Sequence, residues 1–399
     1  MMRGPFWLRS PGLMSPPVAA RLAYLALYGA VGASFPYLAV FYSSRGLDLA
    51  TIGLLTSLFA GAGLLAAPLW GAVADRFAGS IPVLPVAAIL AAAGGSALAL
   101  AHGPIPIAIA VVATALAHSG LGPMLDARAL ETVRGHRDRY GGMRAWGSAS
   151  FIVVVWATGA LIERTGAASL FVVYISAVLI LAVVTIPLRG AVLEMRLPRL
   201  TGIGMVLRHP PLARFLLAAL LVWAASMGIN WYFSIHLLGL GAPGELVGAA
   251  WAIGALVEVP IMWAYPWLAA RVGTERLLII GAAAFAVRAL ALALVDDPLH
   301  ATLTMILHGI GFGLVLVGGV TYVARHAPPA AAATAQGVLS AVVFSLALII
   351  GPSVGSFTAA TWGATAMFVL SCVAGLVAIP LLWLAIGPRA IVSTVATEE

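Results

Sequence analysis

The chain has no lysine and a single cysteine, and only 9% of its 399 residues are charged. Each shortage excludes something. Cys372 alone builds neither a disulfide framework nor a cysteine-based metal site. Soluble domains carry roughly 25% charged residues, so a string of water-soluble domains is excluded. Strict polar–apolar alternation is also missing, which removes a transmembrane β-barrel. There is no Walker-type phosphate loop, no paired metal ligands and no nucleophile beside a base. Neither ATP-driven work nor enzyme catalysis therefore has support in the sequence. The net charge of +7 is carried by arginines in short loops and not on one soluble face, so no nucleic-acid partner is expected.

What the chain has instead is apolar length. Runs of about twenty residues, enough to cross ~30 Å of hydrocarbon as a helix, recur from end to end. In lipid, a helix satisfies its own backbone groups, so the fold class is an all-α membrane protein. The runs lie near 19–43, 51–73, 81–102, 105–132, 144–164, 168–188, 213–238, 245–268, 276–295, 300–325, 332–357 and 363–386. These twelve transmembrane helices divide into a first half at 1–188, a polar central loop at 189–212 and a second half with a short tail at 213–399. Loop arginines fall almost wholly on one side, from Arg3 and Arg9 to Arg389, against Arg45 and Arg164 on the other. That bias predicts a multi-pass protein of a bacterial inner membrane with both termini cytoplasmic. The basic N-terminus precedes a full-length apolar run with no small-residue cleavage site, which argues against a removed signal peptide.

The two halves also repeat. "TIGLLTSLFAGAGLLAAPLWGAVADRF" (51–77) aligns with "ELVGAAWAIGALVEVPIMWAYPWLAARV" (245–272), and "AHSGLGP" (117–123) echoes "LHGIGFG" (307–313). Pseudo-symmetric six-helix halves place a substrate site near the midplane, at their interface.

Within this frame, "GAVADRFAG" (71–79) resembles the loop between the second and third helices of the major facilitator superfamily. The resemblance implies that Gly71 allows close helix packing. It also implies that Asp75 and Arg76 make charge contacts that close the cytoplasmic face. The second copy keeps Arg271 but has Ala270 where the acid would stand. On "PMLDA" (123–127), "RYGGMRAWGSASF" (139–151), "GALVEVPIM" (254–262), Arg288 and "LHGIGFGL" (307–314), the chain is similar to the phenylpropionate permeases. These are relatives of the lactose and nucleoside proton symporters.

Five intramembrane ionisable residues carry the expected chemistry, because such groups are costly and functional by default. Asp126 and Arg144 are equidistant from the turn between the fourth and fifth spans, so they lie at one depth and are expected to pair. The family resemblance gives that pair the role of binding substrate. Glu258, Arg288 and His308 sit one each on the eighth, ninth and tenth spans, flanked by apolar residues. A desolvated acid suits proton loading, histidine titrates near neutrality, and arginine grips a carboxylate, either Glu258 or a substrate, with two prongs. The resemblance likewise implies a proton-coupling cluster. Departures from the lactose permease pattern are Gly311 in place of an acid, Ser345 in place of a lysine, and an offset of about one turn at Glu258. Tyr37 and Trp231, in the densest aromatic clusters, are candidates to stack on substrate.

The resulting expectation is a monomeric, proton-coupled symporter of a small aromatic carboxylate, working by alternating access. It needs no cofactor beyond the proton gradient. Its partners are the solute, protons and the bilayer. The alternatives are proton-driven efflux of hydrophobic compounds, sugar or nucleoside uptake, and a non-transporting membrane sensor or assembly partner.

Overall fold

The computed structural model describes residues 15–77, 82–133, 138–188 and 200–386. Twelve helical spans carry the described chain. The first six are α1 (Pro16–Ser44), α2 (Leu49–Ala74), α3 (Val83–Leu100), α4 (Pro104–Thr132), α5 (Tyr140–Thr165) and α6 (Ala167–Val184). The second six are α7 (Pro210–Gly239), α8 (Gly244–Val272), α9 (Thr274–Leu294), α10 (Pro298–His326), α11 (Ala332–Trp362) and α12 (Ala364–Ala385). An even number of crossings brings α12 back to the face where α1 begins, here termed the terminal face. The α1–α2 turn marks the opposite face.

Local chemistry sets the ends of these helices. Proline occupies the first turn of α1, α4, α7 and α10, every third span. Its missing N–H costs nothing there, and its fixed φ suits helix entry. Tight turns on the opposite face use Gly46, Gly103, Gly166, Gly241 and Gly363 at positive φ, a conformation open to glycine at little cost. The α9–α10 turn uses a cap instead: the Asp297 carboxylate accepts from the His300 backbone N–H at 2.9 Å.

Packing repeats as the sequence does. In the first half α1 packs on α5 and α6, α2 on α4, and α3 on α4 and α6. Adding six to each number gives the pairings of the second half: α7 on α11 and α12, α8 on α10, and α9 on α10 and α12. The halves meet along α5–α8 and α2–α11, which the same operation exchanges.

The closest approaches between halves lie toward the opposite face. Gly159 of α5 abuts the Gly244 carbonyl at the start of α8, and a Cβ on Gly248 would stand 2.7 Å from the Trp156 backbone. A Cβ on Gly53 of α2 would stand 2.7 Å from the Pro352 carbonyl of α11. Ser57 donates to the Ile349 carbonyl at 2.6 Å. Arg164 and Glu245 add an ion pair at 3.7 Å. Small residues let the backbones touch, and that contact replaces a hydrophobic drive that lipid cannot supply.

Three helices depart from regularity. α1 breaks after Ser34 and resumes at Leu38. α4 breaks between His118 and Leu121, where the Trp70 indole donates to the Leu116 carbonyl. α11 contains a π-helical segment at Val342–Leu346, which includes Ser345. Such interruptions hold at membrane depth only where protein re-satisfies the backbone. Between the halves, the short helix Leu200–Leu207 packs its Gly202 beside Thr334 at the start of α11.

Candidate functional site

Asp126 of α4 is held by tyrosines. Its Oδ1 accepts from the Tyr24 hydroxyl at 2.6 Å and the Tyr140 hydroxyl at 2.9 Å. Arg144 of α5 donates through Nη2 to the Tyr28 hydroxyl at 2.9 Å. Tyr24 and Tyr28 are four residues apart on α1, and Tyr140 and Arg144 are four apart on α5, so each pair shares a helix face. Arg144 and Asp126 act on each other electrostatically without forming an ion pair. The direct pair expected from the hairpin is thus corrected to a network, because each charged group makes its hydrogen bonds to tyrosine hydroxyls instead. Arg128 turns away and pairs with Glu131 at 3.9 Å.

Arg144 also faces the second half. α5 and α8 run antiparallel, and their contacts pair Gly159 with Gly244 and Trp156 with Gly248. Extending that register along both helices brings Arg144 level with Glu258, ~22 Å from the Gly159 contact by the 1.5 Å rise. The Arg144 guanidinium accordingly acts electrostatically on the Glu258 carboxylate. One cation therefore acts on two acids, one from each half.

Arg288 and His308 form a separate cluster. Arg288 is 0% exposed. Its Nη1 donates to Asn230 Oδ1 at 2.9 Å and lies 3.4 Å from His308 Nδ1. Its Nη2 meets the Met305 sulfur at 3.2 Å, and its charge sits 5.2 Å from the Phe233 ring centre. The rings of Phe285, Phe312 and Trp251 surround His308. The expected grip of Arg288 on Glu258 is not present. Glu258 packs level with Gly313 on α10, five residues or ~8 Å nearer the terminal face than His308. At Gly311, a Cβ would sit 3.1 Å from both the Gly281 carbonyl and the Phe285 ring. Gly311→Asp, which would place a carboxylate there, should therefore lower the melting temperature in detergent, since overpacking costs about 1–3 kcal/mol. An unchanged melting temperature would show that the α9–α10 contact yields.

The aromatic candidates lie in the seam between halves. Tyr37 is 1% exposed and donates to the Val155 carbonyl at 2.7 Å, so it ties α1 to α5 and offers no face to a solute. Trp231 packs edge-on against Phe35 at 5.1 Å, and Phe35 also touches Trp251 at 5.4 Å. These rings close the site on the side of the opposite face. Of the gating candidates, Gly71 is buried, and Arg76 and Arg271 lie over Phe77 and Trp267. The Asp75 side chain is outside the described residues. Among the described residues, no group of acids, histidines or cysteines is arranged to hold a metal.

Sequence reasoning missed the three tyrosines. The signal was the four-residue spacing of Tyr24 with Tyr28 and of Tyr140 with Arg144.

The MFS_1 like family model matches residues 19–370. The chain belongs to the major facilitator superfamily. Among curated relatives of this transporter is the maltose permease of Geobacillus stearothermophilus, 31% identical over 365 residues, which span 88% of this chain and 90% of the permease. The uncharacterized transporter YwbF of Bacillus subtilis is 23% identical over 80% of each chain. Among solved structures, the nucleoside transporter NupG superposes with a TM-score of 0.81 at 16% identity, covering 94% of this chain and 98% of its own. That likeness supports the fold of the transporter and its twelve-helix architecture.

Proposed function

We propose that this transporter takes up a neutral, polyhydroxylated solute of the sugar class by proton-coupled symport and alternating access. The observation that carries the reading is Arg144, level with Glu258 across the α5–α8 contact, acting on both Asp126 and Glu258. Two acids against one cation, with the hydroxyls of Tyr24, Tyr28 and Tyr140 around them, repel an anion and suit hydroxyl groups that both donate and accept. The name of the maltose permease relative agrees.

In this reading the chain lies in a bacterial inner membrane with its termini in the cytoplasm. The seam closed toward the opposite face then leaves the site open to the cytoplasm. Solute bridges Asp126 and Arg144 of the first half to Glu258 of the second. Protonation of Glu258 neutralises one acid, so that the loaded carrier reorients by rocking its halves about the site. Asp75, Arg76 and Arg271 would close the cytoplasmic end in the other state. The proton gradient is the energy source, and one chain holds the whole site, consistent with a monomer. A second reading keeps an aromatic carboxylate as substrate. It is favoured by the exposed Arg144 guanidinium, which would hold the acid group.

The test is uptake of labelled maltose, a nucleoside and phenylpropionate into proteoliposomes. Maltose should accumulate several-fold when the outside is acidic, and a protonophore should collapse the accumulation. Glu258→Gln should lose accumulation but keep exchange of internal for external sugar. Accumulation of phenylpropionate alone would establish the second reading. Extrusion of hydrophobic dyes with no uptake would replace both with efflux.

A further inference from the structure

The breaks in α1 and α4 border one cavity in the first half. Its volume is ≈ 30 Å³, and Ser34, Leu38, Phe59, Thr114, His118 and Tyr174 are among the residues that line it. Ser34 and Leu38 flank the α1 break, and His118 ends the first segment of α4. Irregular backbone at membrane depth holds where it lines such a space. The cavity lies beside the seam between halves. Phe35, next to Ser34, meets Trp231 and Trp251, and Phe59 follows Ser57 of the α2–α11 contact by two residues. It also lies beyond the tyrosine network, toward the opposite face. Ser34 is six residues past Tyr28 on α1 and His118 eight before Asp126 on α4, ~9–12 Å by the 1.5 Å rise.

No carboxylate, arginine or lysine is among the described residues that line it. What the wall carries is hydrogen-bonding capacity. Ser34 Oγ donates to the Ala30 carbonyl at 2.8 Å, and Thr114 Oγ1 to the Ala110 carbonyl at 2.7 Å. Each hydroxyl proton is thereby used, and each oxygen remains an acceptor. His118 Nδ1 lies 3.1 Å from the Tyr174 hydroxyl, and Nε2 has no hydrogen-bond partner among the described residues. Whichever of the two groups donates to the other, the pair keeps one donor, Nε2–H or Tyr174 O–H. One donor with two acceptors matches a neutral hydroxyl, which accepts and donates at once. Leu38 and the Phe59 ring, 6.3 Å from the imidazole, add an apolar wall for the carbon that bears it. At about 10–15 Å³ for each water-sized group, the cavity admits two such groups and excludes a sugar ring or an aryl ring.

We propose that this cavity seats a hydroxymethyl arm of the transported sugar and so sets specificity among sugars. The carbon packs on Leu38 and Phe59. The hydroxyl accepts from the His118–Tyr174 pair and donates to Ser34 or Thr114. The body of the sugar stays with Asp126, Arg144 and Glu258. The inference rests on the sugar reading of that central site. An aromatic carboxylate has no group of this size and polarity to place here.

The experiment is competition for labelled-maltose binding to the detergent-purified full chain, by maltose and by its two 6-deoxy analogues, one for each glucose unit. A site built to hydrogen-bond a hydroxyl rejects the analogue that lacks it. Wild type should bind one of the two analogues about ten-fold more weakly than maltose, the loss of one or two hydrogen bonds. His118→Phe should bind maltose itself about ten-fold more weakly and no longer distinguish it from that analogue. Ser34→Ala, which adds no volume, should lower the discrimination to about three-fold. If His118→Phe does not fold, Ser34→Ala decides by itself. Equal binding of maltose and both analogues by wild type overturns the proposal and assigns the cavity to water, while the sugar reading stands. Discrimination undiminished in the variants also overturns it, since the hydroxymethyl group is then read elsewhere. A wild-type protein that binds no maltose overturns the sugar reading and this subsite with it.

Discussion

Gly159→Trp should abolish transport and hold the protein open at the face of the α1–α2 turn. At Gly159 even a Cβ would collide with the carbonyl oxygen of Gly244, which is main chain and cannot rotate away. An indole there separates α5 from α8. The neighbouring contacts, Gly248 on the Trp156 backbone and Glu245 N–H on the Glu163 carboxylate at 3.3 Å, part with it. None of them is needed when the halves are apart on that face, so the substitution penalises one state of the transport cycle and spares the other. A differential cost above ~2.8 kcal/mol shifts the balance between states more than 100-fold. Transport should fall by at least that factor, because the cycle requires the closed state. Accessibility gives the independent readout. Cys372 is the only cysteine and is buried, so Cys372→Ser gives a clean background for one reporter. Ser57→Cys, in the α2–α11 seam, should react with a membrane-impermeant maleimide added on the side of the α1–α2 turn much faster in the Gly159→Trp protein. Unchanged labelling with retained transport would show that α5 and α8 do not form the seal.

Much of the fold was legible because membrane helices announce themselves by apolar length, and because the repeat in the sequence reappears as a repeat in packing. The depth of Asp126 and Arg144 also followed from counting residues along two helices. Helix rotation did not follow. Whether Glu258 points to Arg144 or to Arg288 depends on which face α8 gives to α5 and which to α10, and α8 is apolar on nearly every side. Gly254 and Gly309 settle it. A Cβ on Gly309 would stand 2.6 Å from the Gly254 carbonyl and one on Gly254 would stand 2.8 Å from the Met305 side chain, and that close contact of α8 with α10 fixes the rotation and the level of Glu258 on α10. The aromatic residues misled for a related reason. Tyr37 looked like a ring for a solute, but its hydroxyl is used on the Val155 carbonyl. The break in α1 is marked by Pro36, but the break in α4 between His118 and Leu121 and the π segment of α11 contain no proline to mark them.

Arg144→Gln should reduce transport at least 100-fold, and adding Glu258→Gln should restore part of the lost solute binding. Removing the guanidinium leaves Asp126 and Glu258 without the cation that acts on both, and like charges in a poorly solvated site repel. The single variant therefore loses both a donor for the solute and the charge that lets two acids share the site. The second substitution removes one acid and with it the repulsion, but cannot return the donor. Solute binding measured by fluorescence should then show a coupling of about 1–3 kcal/mol between the two positions, the range found for residues in one network. Glu258→Gln alone should bind solute nearly as well as wild type while failing to accumulate it. Arg144→Gln/Asp126→Asn supplies the matching cycle within the first half, where Tyr24 and Tyr140 already hold the carboxylate. Its coupling should be the smaller of the two, since those hydroxyls stabilise Asp126 whether or not Arg144 is present. Equal couplings would mean that Arg144 serves the first half alone, and strict additivity at Glu258 would sever the electrostatic link between halves on which the proposed cycle depends.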